Sequence, residues 1–368
     1  MSVTQKLRWA FFAAIGLPLI IITAIVAVQT RYFSVEKFAE ASLREATQID
    51  NNFDMFFSEI AKDVTFLTRH QSVTNAQRGI TSYKAEQKSV EMDALSGPDN
   101  EKIAYQLFEK FGDTHKGIAY IYMGNDEGGY IQWPQGNVGA GYDPRKRPWY
   151  QTGLTNTNEA IRTDAYYWEP DDAVIVSTVK AIKVAGAVTG VQGMDVSLKG
   201  LTEIVKKIRI GETGYLMLVE NTGKILADAK NTKNMFKPID EALPELSAQL
   251  SQGDQTVFEI NIEGDDYFGV VYTSPQLGWK FVSLIKQSEV LASTNQLIFS
   301  LIGVCVLLMI GFIAMAIYLS RLFARPIKEV SYGLESIAQG GGDLTRRLQA
   351  SSKDEQVCWP EVLTPSSR

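Results

Sequence analysis

Two uncharged runs constrain this chain more than any other feature. From Trp9 to Gln29 (WAFFAAIGLPLIIITAIVAVQ) and from Leu297 to Leu319 (LIFSLIGVCVLLMIGFIAMAIYL) no charged residue occurs. As a helix, each run is long enough to cross roughly 30 Å of hydrocarbon, so both are expected to be membrane spans. A cleaved signal peptide is the competing reading of the first, but its apolar stretch exceeds the usual core of such a peptide and no small-x-small cleavage site precedes Arg31. Lys6 and Arg8 lie before the first run, and Arg321, Arg325 and Lys328 follow the second. The positive-inside rule then makes residues 1–8 and the region after 319 cytoplasmic, with 30–296 outside.

The outer region is acidic. Between Arg31 and Gln296 stand 27 Lys and Arg against 36 Asp and Glu, a formal net charge of −9, with no basic tract suited to nucleic acid. This part faces solutes. The chain's two cysteines are Cys305, inside the second run, and Cys358, near the end. The outer region therefore folds without disulfides and depends on a hydrophobic core.

Periodicity gives its elements. Ser34 to Arg69 contains no Pro or Gly, and Phe53, Phe56, Phe57, Ile60, Val64 and Leu67 recur at spacings of mostly three and four, which predicts a long helix rising from the membrane. "LSGPDNEKIAYQLFEKFG" predicts a short amphipathic helix ending at Gly112. "GIAYIYMGNDEGGYIQWP" alternates around an Asn-Asp-Glu-Gly turn as a hairpin does, and "AVIVSTVKAIKV" and "AVTGVQGMDVSL" flank an Ala185-Gly186 break as a second strand pair. "SLKGLTEIVKKIRIG" predicts a linking helix with Leu198, Leu201, Ile204, Val205 and Ile208 on one side. "TGYLMLVENTGKILAD" and "TVFEINIEGDDYFGVVYTSPQLGWKFVSLI" then supply a hairpin and three further strands. The expected class is α+β, with two successive antiparallel-sheet lobes carrying helices on one face, at about 70–200 and 210–285. After the second run, "ARPIKEVSYGLESIAQGGGDLTRRLQASS" predicts a Pro-started helix, a glycine break and the start of another helix over 320–354. Residues 355–368 carry Pro360 and Pro365 and no apolar heptad, so no coiled coil is expected there.

One short stretch carries the chemistry. In "RKRPWY" (145–150), Arg147 offers a planar fork that donates two parallel hydrogen bonds to a carboxylate, which Lys cannot reproduce. Trp149 and Tyr150 add donors on rigid bodies able to wall a pocket. The competing reading makes the aromatics core and the cations a solvated turn. Asp195, near the end of an apolar strand, would be costly to bury alone and is suited to a ligand ammonium; an N-cap for the following helix competes with that role. Tyr142 and Tyr166 bracket the stretch. A carboxylate partner, an ammonium partner and several phenols together complement a free α-amino acid.

"GYDPRKRPWY", "TDAYYWEP" and "GVQGMDVSL", set between two apolar runs and followed by "RPIKEVSYGLESIAQGGGDLTRRL", resemble a bacterial methyl-accepting chemotaxis receptor with a double Cache sensor and a HAMP segment. The resemblance covers the chain to about Asp354. It implies two PAS-like lobes forming a periplasmic sensor, a short cytoplasmic HAMP-like segment over 320–354, and a homodimer in the bacterial inner membrane. In amino-acid-sensing members, an R-x-W-Y motif with a preceding tyrosine, a following tyrosine and a distal aspartate binds the ligand backbone in the membrane-distal lobe. On this sequence these positions are Tyr142, Arg147, Trp149, Tyr150, Tyr166 and Asp195. The resemblance implies that Arg147 and Trp149 hold the carboxylate, while Tyr150, Tyr166 and Asp195 receive the ammonium.

Two departures stand out. Some members place an aspartate where this chain has Trp168, which bears on ammonium binding and side-chain preference. After "KDE" the family continues into a long cytoplasmic hairpin, whereas this chain turns to "QVCWPEVLTPSSR". The expectation is a truncated receptor without its output module, so that a histidine kinase and adaptor are partners only of an intact parent chain. A histidine kinase or nucleotide cyclase with a similar sensor is the alternative parent.

No catalytic assembly emerges. His70 and His115 are far apart in sequence without spaced Cys or carboxylates nearby, so no metal site is expected. Asp171-Asp172 and Asp265-Asp266 lack the alternating oxygen donors of a calcium loop. Neither G-x-S-x-G nor a phosphate loop is present. "GGGDLTRRL" lacks the acidic pair of a cyclase loop and reads as a turn between HAMP-like helices. The expected protein is a sensor of a small molecule, with no enzyme activity and no cofactor.

Overall fold

The apolar run at the N-terminus and the Pro- and Gly-free stretch beyond it form a single helix, Val3–Arg69, in the computed structural model, which describes residues 3–115, 117–168, 173–197, 205, 208–251 and 257–338. Pro18 lies inside this helix. Of the six apolar positions that predicted its inner face, Phe53, Phe57, Ile60, Val64 and Leu67 are buried. Phe56 is only partly covered, its ring edge-on to Phe57 at 5.5 Å.

The first lobe contains β1 (Val90–Glu91), β2 (Ile118–Asn125), β3 (Tyr130–Trp133), β4 (Asn137–Val138), β5 (Ile161–Arg162), β6 (Tyr166–Trp168), β7 (Ala173–Val184) and β8 (Ala187–Ser197). Its antiparallel sheet runs β3-β2-β8-β7-β5, with β6 also paired to β7, while β1 and β4 form a separate small ribbon. The β7–β8 hairpin closes at the expected Ala185-Gly186 turn. Both residues have positive φ, 51° and 85°, as a two-residue turn matched to strand twist requires, and glycine meets that demand without cost.

Strand alternation sorts this sheet into two faces. Ile121 and Met123 of β2, with Val176 and Met194, join the core shared with the long helix and the helix Asp99–Thr114. Tyr120 and Tyr122, with Val179 and Val191, belong to a separate aromatic cluster on the opposite face, beside the helix Pro148–Thr155.

The second lobe contains β9 (Tyr215–Val219), β10 (Ile225–Asp228), β11 (Phe258–Ile262), β12 (Asp265–Thr273) and β13 (Lys280–Lys286), ordered β10-β9-β13-β12-β11 and antiparallel throughout. Alternation works here too. Leu216, Leu218 and Phe281 face the core shared with the long helix, whereas Met217, Val219 and Val282 pack with Leu246 and Leu250 of the helix Pro244–Leu250. Phe53 of the long helix meets the rings of Trp279 and Phe281, each at 6.2 Å. One continuous core therefore serves the helix and both lobes.

Ser34–Leu291 is one compact unit, and the apolar segments on either side form a second. The described helices within Ala13–Arg69 and Ala292–Leu319 are long and apolar enough to cross a membrane. In the second unit the Thr23 hydroxyl lies 3.6 Å from the Cys305 sulfur. The helix Ala292–Ala338 runs through Pro326, where the sequence suggested a new helix begins. A proline inside a helix removes its own hydrogen bond and crowds the carbonyl four residues back, which bends a helix without having to end it. Most of the expected linking helix, the segment after 338 and the Asp171-Asp172 pair lie outside the described residues.

Candidate ligand-binding site

"RKRPWY" spans two short helical elements, and its three cations have different fates. Asp143 caps the 3-10 turn Pro144–Lys146 by accepting from the Arg145 backbone N–H at 3.2 Å. Its carboxylate also takes the Arg145 guanidinium in two bonds, from Nε at 2.9 Å and Nη2 at 2.8 Å. That paired charge holds the Asp143 carboxyl below its ordinary range. Lys146 is exposed. Arg147 is the N-cap of the helix Pro148–Thr155, with Pro148 at the first helical position, where a missing N–H costs nothing. Its exposed side chain places the guanidinium carbon 5.2 Å from the centre of the Tyr142 ring.

The helix that Arg147 starts directs Trp149 and Tyr150 inward, and both are buried. The Trp149 ring lies 4.8 Å from Tyr122 and 5.5 Å from Tyr150, edge-on to each. Tyr130 lies 4.7 Å from Tyr142 and 6.2 Å from Trp149. The result is an aromatic block of Tyr122, Tyr130, Tyr142, Trp149 and Tyr150 on one face of the sheet.

Asp195 sits at the sheet end of this block, inside β8 and 4% exposed, with Tyr120 and Ser177 as its cross-strand partners. Its Oδ1 accepts from the Tyr122 hydroxyl at 2.6 Å and from the Ser177 hydroxyl at 2.5 Å. The Tyr166 hydroxyl lies 2.8 Å from Ser177 Oγ. Oδ2 has no hydrogen-bond partner among the described residues. These bonds come from β2 and β7, so the carboxylate is held across the sheet and does not cap a helix. Tyr122 reaches it because position 193 is glycine: a Cβ there would fall 2.4 Å from the Tyr122 ring.

Electrostatics follow from this enclosure. Burial pushes Asp195 up to about 7, against the hydrogen bonds from Ser177 and Tyr122 that pull it down. Tyr122 and Tyr166 are driven well above their ordinary value, first by burial and then by the Asp195 charge. Burial also raises Tyr142, on which Arg147 acts downward and Asp195 upward. Both charges are thus felt by one phenol. Tyr150 is pushed up to about 12 by burial and then by Asp126.

Beside the aromatic block, the Tyr142 hydroxyl and the Trp168 indole N–H are buried without a hydrogen-bond partner among the described residues. The Tyr142 hydroxyl lies near Trp149 and Tyr130 without a well-formed bond to either. Leaving such groups unmatched costs about 1–3 kcal/mol each. Trp168, in β6, packs edge-on to Tyr120 at 6.0 Å beside the aromatic block.

Of the six residues singled out from sequence, Tyr142, Trp149 and Tyr150 share the aromatic block, and Tyr166 joins Asp195 through Ser177. Tyr122 connects the two groups, its ring on Trp149 and its hydroxyl on Asp195. Arg147 stands outside, over Tyr142. The charged neighbours of Tyr150 are Asp126, Arg145 and Asp143. Tyr122, Tyr130 and Ser177 were not singled out; the available signal was the alternation of Tyr120 and Tyr122 with Ile121 and Met123.

Residues 33–294 match the Cache domain. Among curated relatives, methyl-accepting chemotaxis protein McpB of Bacillus subtilis is 23% identical over 356 residues, 96% of this chain and 49% of that protein. PctB of Pseudomonas aeruginosa, of the same name class, is 27% identical over 241 residues, 65% of this chain and 38% of that protein. The chain spans half or less of the length of these relatives. Among solved structures, the ligand-binding domain of the Pseudomonas fluorescens chemoreceptor CtaA in complex with L-isoleucine superposes with a TM-score of 0.53 at 19% identity, covering 70% of this chain and 96% of that one. The ligand-binding domain of the Campylobacter jejuni chemoreceptor Tlp3 in complex with 4-methylisoleucine gives 0.53 at 17% identity, covering 70% and 94%. At such identities the likeness is one of fold. With the domain matched over most of its length, the chain belongs to the Cache-domain family, in the double-lobed form that resembles the sensors of methyl-accepting chemotaxis proteins.

Proposed function

We propose that this chain is the sensing part of a transmembrane chemoreceptor that captures an amino acid, or a zwitterion like one, outside the bacterial inner membrane. Residues 9–29 and 297–319 are its spans, and 30–296 its periplasmic sensor. The HAMP-like segment over 320–354 is the first cytoplasmic element to receive the signal. The chain works as a homodimer and as a receptor, not an enzyme, and an intact parent hands the signal to a histidine kinase and adaptor.

The observation that carries this reading is the placing of opposite charges about one aromatic block: Arg147 over the Tyr142 ring, and Asp195 bonded to the Tyr122 hydroxyl with Oδ2 unpartnered among the described residues. The fork of Arg147 suits a carboxylate and Asp195 suits an ammonium. Trp149 joins Arg147 on the carboxylate side and Tyr166 joins Asp195 on the ammonium side, while Tyr150, whose charged neighbours are Asp126, Arg145 and Asp143, serves as a wall beside Trp149. The amino acids named with CtaA and Tlp3 support the ligand class. Ligand must bind one arrangement of the sensor better than another, since equal affinity shifts nothing.

The test is a thermal-shift series on the detergent-solubilised chain with L-isoleucine, L-leucine, L-arginine, simple amines, dicarboxylates and sugars. At least one amino acid raises the melting temperature, and Arg147→Ala abolishes the rise without unfolding the protein. A response to dicarboxylates or sugars alone overturns the assignment.

A further inference from the structure

The segment Ile161–Trp168 is bonded on two sides. Toward the site, the Thr163 backbone N–H donates to the Ser177 carbonyl at 2.8 Å, and the Ser177 N–H donates to the Thr163 hydroxyl at 3.1 Å. Three residues on, the Tyr166 hydroxyl meets Ser177 Oγ, which itself donates to Asp195. Toward the second lobe, Arg162 Nη2 donates to the Leu277 carbonyl at 2.7 Å, and the Ala165 N–H donates to Glu220 Oε1 at 2.8 Å. Glu220 is buried, and its Oε2 accepts from the Thr222 hydroxyl at 2.7 Å.

The setting of Arg162 is unusual for a guanidinium. Its guanidinium carbon lies in the corner made by Phe57 of the long helix, 5.1 Å from the ring centre, and Trp279 of the second lobe, at 5.2 Å. Those two rings meet edge-on at 5.5 Å. First lobe, second lobe and long helix thus converge on one side chain. Burial pulls its pKa down, and Glu220, Asp164 and Asp54 oppose that pull. A partly buried charge of this kind is a weak source of stability, whereas a planar cation held against two rings fixes geometry in a way that Lys cannot copy.

We propose that Ile161–Ala165 is a latch through which the Asp195 site and the second lobe sense each other, anchored on the site by Ser177 and on the second lobe by Arg162 and Glu220. A rearrangement of the bonds among Asp195, Ser177 and Tyr166 is passed through Thr163 to Leu277, Trp279 and the Phe57 turn of the long helix. Coupling between sites travels through contiguous bonded elements of this sort, and only a coupling measurement establishes it. The proposal rests on the Asp195 region being the ligand site, but its test uses no ligand.

The full chain in lipid nanodiscs is followed by amide hydrogen exchange as wild type, Ser177→Ala, Arg162→Lys and the double variant. Ser177→Ala is expected to change exchange about threefold or more in second-lobe peptides covering 215–220 and 274–281, and Arg162→Lys is expected to remove most of that change, the non-additivity typical of residues in one network. Glu220→Ala, which removes the acceptor of the Ala165 N–H, serves as the second latch variant should Arg162→Lys fold poorly. Second-lobe peptides that ignore Ser177→Ala, or respond equally with either latch variant present, overturn the proposal. A wrong ligand class would show instead in the melting series, leaving this exchange pattern intact.

Discussion

Asp195 concentrates the chemistry of the site. An unperturbed Asp titrates near about 3.9, and burial moves this one up to about 7. Between those values the folded chain keeps a proton that the unfolded chain has released. The associated stabilisation is complete below about pH 4 and is lost as pH rises through 7. Urea melts at several pH values should show this decline, and Asp195→Asn, which cannot ionise, should flatten it. Capture of an ammonium requires the ionised carboxylate, so affinity for the stabilising amino acid should rise about tenfold from pH 6 to 8. A flat titration-calorimetry profile counts against Asp195 as the acceptor. The sequence drew attention to Arg147, Trp149 and Asp195 through residue type, a fork, an indole and a lone acid in an apolar strand, and the structure places Trp149 in the aromatic block, Asp195 at its sheet end and Arg147 over Tyr142. Ser177 and Tyr122 were not legible, since their positions against Asp195 depend on the register of three strands.

At the scale of elements, alternation and turn chemistry carried most of the information. The β7–β8 hairpin and the two faces of β2 follow from period two and from Ala185-Gly186. The helix Pro148–Thr155 did not, because eight residues are too few for a helical period to stand out. It nevertheless sets the site, placing Arg147 at its cap and Trp149 within its first turn. The close approach of β2 to β8 gives a direct test: a Cβ at position 193 would overlap the Tyr122 ring, and neither central strand is free to retreat. Gly193→Ala should cost about 1–3 kcal/mol in chemical denaturation and weaken amino-acid binding by displacing the Tyr122 hydroxyl.

Across the whole molecule, the long helix is the common wall of both lobes. Its buried Phe53 touches Trp279 and Phe281, while Val64 and Leu67 belong to the same core as Phe108 and Ile121 of the first lobe. Phe53→Ala should cost about 3–5 kcal/mol and, in calorimetry, shift a single unfolding transition of residues 34–291 without splitting it into two; a split transition would mean the lobes fold independently. The spacing of apolar residues along Ser34–Arg69 announced this helix and its inner face, but not that two sheets share it, because no local period records which partner a buried side chain meets. For anyone wishing to graft this receiver onto a foreign transmitter, the seam dictates where to cut. Joints placed ahead of Ser34 and beyond Leu291 preserve it, whereas an exchange of either sheet alone would strand half of a greasy spine in water and yield a chimera fit mainly for inclusion bodies.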